Sequence, residues 1–207
     1  MRKNKISKKW INNQQRDIYV KKSKIEGYRS RAVYKLQEID SKFKIFKNGI
    51  SVLDLGAAPG SWSQFAAKKV KNGKILSIDL KEMDKIENTF QIQGDFTENQ
   101  NQQKIKKYFG GDVDIVLSDM AANTSGNKNL DSIVTGELSI KAMIFAKEIL
   151  KLDGKLVTKF FMGSSFNEII SEAKKYFREI KVFKPSASRK NSKETFIICK
   201  LLRKYYK

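Results

Sequence analysis

The 207-residue sequence predicts an α/β domain built on a mostly parallel, doubly wound seven-stranded sheet whose final strand runs antiparallel. Three observations carry that prediction. Short apolar runs alternate with amphipathic segments from residue 51 onward, the pattern of strand–helix–strand crossovers. The small-residue turn Gly56-Ala57-Ala58-Pro59-Gly60 follows the first of those runs directly. The last two runs are separated only by Pro185 to Glu194, too short for a crossover helix, so they pair as a hairpin.

Taken in order, residues 1–27 are polar and basic, with scattered Trp10 and Tyr19 and no sustained apolar period. They form an extension ahead of a domain spanning 28–207. Two readings of the extension stand side by side: a solvated tail, or an RNA-contacting arm whose aromatics stack on bases. From Ser30, a candidate N-cap, Ala32, Val33, Leu36, Ile39 and Phe43 keep helical spacing, which places Lys35 in a helix. Strands are expected near 51–55, 74–79, 90–93, 113–118, 154–161, 180–184 and 195–202, with helices near 61–70, 98–109, 132–151 and 165–177. The polar patch Asn99 to Lys107 is low in complexity and reads as loop and solvated helix start.

This length suits one domain with a short extension. The formal charge is +20, from 42 Lys+Arg against 22 Asp+Glu, which favours a polyanionic partner such as nucleic acid. A compositional bias could also inflate it, since Lys outnumbers Arg 35 to 7. The distribution decides: residues 1–31 carry +9, residues 181–207 carry +8, and the long middle only +3. A uniform bias would not leave the middle nearly neutral, so a binding surface built from both termini is expected. The single cysteine, Cys199, excludes an intramolecular disulfide, and without any histidine no metal site is expected. Catalysis must then run on Lys, Asp, Glu, Tyr or Ser. No apolar run reaches the length of about 18 residues that a membrane span needs, and no apolar stretch follows the basic start, so a cytoplasmic protein is expected.

The chemistry concentrates at strand ends. Asp54-Leu55-Gly56-Ala57-Ala58-Pro59-Gly60-Ser61-Trp62 is a nucleotide-cofactor turn, where small residues let backbone approach a ligand. A dinucleotide fingerprint would need Gly-x-Gly-x-x-Gly, but Ala58 replaces the second glycine and Pro59 stiffens the loop. The turn therefore suits S-adenosylmethionine, which carries no phosphate. A Gly-Pro turn alone is equally a helix-start signal. The second element is Asp79, at the end of the next apolar run, where a carboxylate can accept from ribose hydroxyls. Asp95 follows the third run and either meets the adenine end of a cofactor or simply makes an Asx turn. Asp119 closes Ile115-Val116-Leu117-Ser118, beside the expected methyl-donor position. Lys159 is an ammonium within the apolar run Leu156 to Phe161, costly to bury unpaired unless it snorkels from an edge. Glu194 opens the last strand and on its own reads as a surface charge.

Six ordered motifs, Ser30 to Leu36, Asp54 to Trp62, Gln93 to Phe96, Asp119-Met120-Ala121, Lys159-Phe160-Phe161 and Lys184 to Glu194, resemble those of the FtsJ/RrmJ (RlmE) family of ribosomal RNA 2′-O-methyltransferases. The likeness runs from about Gly27 to Leu202, and the antiparallel last strand matches the Rossmann-like S-adenosylmethionine-dependent methyltransferase fold rather than a dehydrogenase. It implies a Lys-Asp-Lys-Glu tetrad at Lys35, Asp119, Lys159 and Glu194, and S-adenosylmethionine contacts at Gly60, Trp62, Asp79, Asp95 and Asp119. The chain departs from the family at Ser61, where a glycine is common, and at Ala122, where a proline is common; both substitutes are small. In this reading Lys159 is central, either taking the proton of a ribose hydroxyl or orienting it as a charged group. Asp119 orients Lys159, while Lys35 and Glu194 position substrate. Arg29, Arg31, Arg189, Lys190 and Lys193 flank the tetrad and could hold phosphates. The resemblance further implies a monomer acting on a uridine in the A-loop of large-subunit (23S) ribosomal RNA, within the large subunit. The alternatives are a transfer RNA 2′-O-methyltransferase and a non-catalytic ribosome-assembly protein.

Overall fold

The computed structural model describes residues 17–121 and 127–204. Its strands are β1 (Ser51–Leu55), β2 (Lys74–Asp79), β3 (Phe90–Gln93), β4 (Val113–Ser118), β5 (Leu150–Phe161), β6 (Phe177–Phe183) and β7 (Glu194–Leu202). They form one sheet in the order β3-β2-β1-β4-β5-β7-β6. Neighbours from β3 through β5 are parallel, and β7 runs antiparallel to both β5 and β6. The chain crosses from β1 to β2 on one side and returns to β4 on the other, so a crevice opens at the carboxyl ends of β1 and β4, where open α/β sheets bind ligands.

Helices α1 (Ile18–Ile25), α2 (Val33–Phe43), α3 (Ser61–Lys69), α4 (Asn99–Phe109), α5 (Lys128–Ile149) and α6 (Phe166–Tyr176) cover the sheet. On one face Val33, Leu36 and Ile39 of α2 and Trp62, Phe65 and Ala66 of α3 pack on Val52, Ile75, Leu117, Val157, Phe196 and Ile198. On the other, α4, α5 and α6 contribute Ile105, Phe109, Met143, Phe145, Ile149, Ile169 and Tyr176 over Leu53, Leu55, Leu76, Val116, Leu156 and Ile197. Burial on both faces explains why the central strands read as continuous apolar runs.

The structure differs from the sequence expectation at several places. Helix α2 is capped at Ala32 rather than Ser30, and β6 starts at Phe177 rather than near 180. The extension contains a helix, α1, whose eight residues have no strong amphipathic period; Asp17 caps it by accepting from Tyr19 N at 3.1 Å, and Tyr19 packs on Tyr34 with ring centroids 5.3 Å apart. Helix α5 starts at Lys128 rather than near 132, because the Asn127 side chain caps it by accepting from Asn129 N and Leu130 N. Strand β5 starts at Leu150 rather than 154; its pairing with β4 slips between Val113 and Ile115, so the irregular stretch through Asp153-Gly154 reads as a turn in sequence. The helix expected near 98–109 is α4, and the polar patch from Asn99 lies wholly inside it with no loop portion; Asn101 there is buried, donating to the Asp95 carbonyl at 2.9 Å. Trp10 and Ala122, singled out in the sequence, lie outside the described residues.

Candidate active site

The turn after β1 is shaped by two glycines in the left-handed region. Gly56 has φ +69°, and a Cβ there would collide with the Met120 side chain. Gly60 has φ +105°, and a Cβ would meet Ile86 Cδ1 at 2.6 Å and Arg29 Nη1 at 2.9 Å. With side chains excluded, the backbone of β1's end walls a cleft of about 570 Å³. The ends of β1, β2, β3 and β4 line it through Gly56, Ala58, Asp79, Asp95 and Asp119, and α5 closes it with Val134, Leu138 and Lys141. Asp79 accepts from Ala58 N at 2.9 Å and from Lys81 N at 2.8 Å, which ties the turn to the end of β2. Asp95 makes the Asx turn of the alternative reading, accepting from Thr97 N at 2.8 Å, and still lines the cleft. The Asx turn is thus formed, and it leaves Asp95 in the cleft wall.

Beside this cleft, four side chains distant in sequence meet. Lys35 comes from the first turn of α2, Asp119 from the end of β4, Lys159 from β5 and Glu194 from the start of β7. The antiparallel register sets Lys159 opposite Phe196 and Phe161 opposite Glu194, which puts Lys159 and Glu194 on the face covered by α2. Lys35 Nζ lies 2.7 Å from Glu194 Oε2 and 3.4 Å from Asp119 Oδ2. Lys159 Nζ donates to the Asp119 carbonyl at 2.6 Å, and lies 2.8 Å from Asp119 Oδ1 and 4.0 Å from Glu194 Oε2. Lys159 is 6% exposed, so it does not snorkel; its charge is met by two carboxylates.

Burial works to lower the Lys35 pKa, but Asp119 and Glu194 outweigh it and hold the ammonium above its ordinary value. Burial likewise opposes ionisation of Asp119, and Lys159 with Lys35 overcomes it, holding the carboxyl below its ordinary range. Asp119 and Lys35 thus form a fixed charge pair. The ionic contact to Asp119 Oδ1 lacks hydrogen-bond alignment, which leaves this buried oxygen with an unused acceptor direction among the described residues.

The cleft fits a nucleoside carrying a charged amino-acid arm: three carboxylates line it, its walls are largely apolar, and Gly56 keeps backbone within reach. Asp79, Asp95 and Asp119 are the carboxylates in its wall that could accept from such a group. Gly60 and Trp62 are not in its wall. Gly60 caps α3, while Trp62 is buried, donates its indole N–H to the Ala32 carbonyl at 2.8 Å, and borders a small hollow of about 30 Å³ together with Asp54 and Asp119.

Among the basic side chains expected to hold phosphates, two are committed internally. Arg29 donates to the carbonyls of Pro59, Asp84 and Lys85 at 3.1, 2.9 and 3.0 Å. Arg31 donates to Asp17 and to the Ala187 carbonyl. Arg189, Lys190 and Lys193 remain exposed. Tyr19 is also committed, to Tyr34, and is not a free stacking platform. Sequence reasoning missed Glu38, Ser188 and Asn101, which hold the loops that carry the site. Glu38 carried one signal, its position one helical turn after Lys35.

Residues 28–202 match the family model described as FtsJ-like methyltransferase. The chain is 63% identical over 203 residues to ribosomal RNA large subunit methyltransferase E of Pelagibacter ubique, covering 98% of this chain and 100% of that protein. It is 44% identical over 202 residues to the protein of the same name from Legionella pneumophila strain Corby, covering 97% and 98%. A solved ribosomal RNA methyltransferase structure from Plasmodium falciparum superposes with a TM-score of 0.77 at 34% identity, covering 85% of this chain and 100% of that one.

Proposed function

The chain belongs to the FtsJ-like methyltransferase family, and on that footing we propose that it methylates the ribose 2′-oxygen of a uridine in the A-loop of large-subunit ribosomal RNA, acting on the large ribosomal subunit. The names of the relatives support the ribosomal RNA substrate. The observation that carries the reading is the cluster of Lys35, Asp119, Lys159 and Glu194 at the edge of the nucleoside-sized cleft.

S-adenosylmethionine, held by Asp79, Asp95 and Asp119 when bound, supplies the methyl group. The chain's own residues supply orientation and charge. Asp119 contacts Lys159 through both its carbonyl and its carboxylate, which fixes the ammonium nitrogen at the cleft's edge. Lys159 Nζ is placed to orient the ribose hydroxyl and to stabilise the charge that develops on its oxygen; as the methyl's bond to sulfur breaks and its bond to the ribose oxygen forms, the hydroxyl proton leaves late to solvent. Lys35 bridges Glu194 and Asp119 as a fixed cation. With α2 and β7 packed over it, the cluster works in a poorly hydrated setting where such interactions are strengthened.

Methyl incorporation from labelled S-adenosylmethionine into undermethylated large subunits, free ribosomal RNA and transfer RNA tests this, with wild type beside Lys159→Ala. Label in the large subunit that maps to one A-loop ribose and falls by about 100-fold or more in Lys159→Ala is the expected result. Label confined to transfer RNA replaces the substrate, and full turnover by Lys159→Ala removes Lys159 from the mechanism.

A further inference from the structure

Glu194 has two carboxylate oxygens, and the structure gives them different partners. Oε2 faces the lysines, 2.7 Å from Lys35 Nζ and 4.0 Å from Lys159 Nζ. Oε1 accepts from the Ser188 hydroxyl at 2.8 Å, within the loop that joins β6 to β7. Ser188 is 6% exposed, so no water competes readily for that bond. The loop is itself fastened. Glu38 accepts from Ser186 N at 2.6 Å and from Ala187 N at 2.7 Å, and the Arg31 guanidinium donates to the Ala187 carbonyl. At its far end Glu194 N donates to Ser192 Oγ at 3.1 Å, and Lys184 Nζ donates to the Ser192 carbonyl at 2.7 Å.

Lys35 and Glu38 lie three residues apart on α2, hence on one face. One helix therefore grips both the reacting cluster, through Lys35 to Glu194, and the loop behind it, through Glu38 to Ser186 and Ala187. Without the Ser188 bond, the Glu194 carboxylate would be held through Lys35 alone and could turn about its last torsion, where terminal carboxylates have broad minima. Its 4.0 Å approach to Lys159 Nζ would then no longer be fixed.

We infer that Ser188 and Glu38 are positioning residues for the methyl transfer: Glu38 closes the β6–β7 loop on α2, and Ser188 fixes the Glu194 carboxylate so that Oε2 faces Lys35 and Lys159. The inference rests on the reading of the four-residue cluster as the reaction centre. It assigns to Ser188 and Glu38 no contact with cofactor or substrate, and so it predicts an effect on turnover rather than on binding.

The test measures kcat and KM for RNA and for S-adenosylmethionine, with thermal melting, in Ser188→Ala, Ser188→Thr, Glu38→Gln, Glu194→Ala and the Ser188→Ala/Glu194→Ala double variant, beside Lys159→Ala. Expected is a loss of about 10-fold or more in kcat for Ser188→Ala and Glu38→Gln with both KM values within about twofold. Ser188→Thr, which keeps the hydroxyl, recovers most of the rate, and the double variant is no slower than Glu194→Ala alone. Wild-type kcat in Ser188→Ala while Lys159→Ala is inactive overturns the inference and leaves the reaction centre standing. A further loss in the double variant, or a fall confined to melting temperature and KM, shows a merely structural serine and also overturns it. Full activity in Lys159→Ala removes the reading beneath it, whatever Ser188 does.

Discussion

Asp54 sits below the cofactor turn, 1% exposed, with Ser63 Oγ at 2.5 Å and Ser63 in turn 2.6 Å from Ser77 Oγ. Burial pushes its pKa up to about 7 against the partial relief of Ser63, and the nearby carboxylates of Asp119 and Asp79 push the same way. The sign follows from linkage. A carboxyl whose folded pKa exceeds its unfolded value of 3.8 favours the fold fully below that value, and this contribution is lost as pH rises toward about 7. This is the reverse of Asp119, whose lowered pKa makes its contribution vanish only in acid. Urea unfolding of wild type and Asp54→Asn between about pH 4 and 8 checks it. The difference should move in favour of the asparagine by up to about 1.4 kcal/mol per pH unit up to about pH 7 and then level off. A difference that is flat with pH would mean that Asp54 is ionised throughout. Of the site's residues, those at strand ends were legible in the sequence, because each acid follows an apolar run that fixes its place in the sheet. Glu38 and Ser188 were not. Glu38 reaches Ala187 across 149 positions, and no local pattern encodes a partner that far away.

The element that organises the cleft is the turn between β1 and α3. Its glycines and its length were readable, but what holds it was not. Arg29 reads in sequence as a phosphate ligand, whereas in the fold it is a clamp between the turn's Pro59 carbonyl and the β2–β3 loop at Asp84 and Lys85. An arginine ahead of a basic motif gives no sequence clue that three carbonyls will engage it; only the closed fold brings those carbonyls together. Gly60 lies between Arg29 and Ile86, so Gly60→Ala combines a strained backbone at φ +105° with two close contacts to flexible side chains. It should destabilise the protein by about 1–3 kcal/mol, lowering Tm by roughly 2–12 °C for a chain of this size, and it should raise KM for S-adenosylmethionine more than KM for RNA. Calorimetry with steady-state kinetics reads both. Unchanged Tm and cofactor KM would show that the turn tolerates a side chain at that position. The helices and strands with strong periods appeared where the sequence placed them, within a few residues. Helix α1 is not legible in the same way, because eight residues whose apolar side chains fall at both ends are too few for a period to emerge.

At the scale of the whole molecule, parts of the two basic ends meet among the described residues. Asp17, Arg31, the Ala187 carbonyl and Arg189 lie in one connected set of interactions, which draws the first described helix onto the β6–β7 loop beside Glu194. Yet the basic side chains there are not equivalent. Arg31 is paired with the Asp17 carboxylate and Arg29 is held by three backbone carbonyls, so neither is placed to swing out to a phosphate. Lys190 and Lys193 are exposed, with no such commitment among the described residues. Counterion release then separates the two kinds. Replacing Lys190 and Lys193 by glutamine should weaken RNA binding and flatten the dependence of log KM for RNA on log salt by about 1 to 1.5, near 0.7 for each phosphate that is no longer neutralised. Arg29→Gln should leave that slope within about 0.3 of wild type while raising KM for S-adenosylmethionine, since its partners are the carbonyls of the cofactor turn and the adjoining loop. KM measured at four or five salt concentrations for each variant distinguishes them. An Arg29→Gln slope that falls as far as that of the lysine pair would return Arg29 to the RNA surface and show that its carbonyl bonds give way when the substrate arrives.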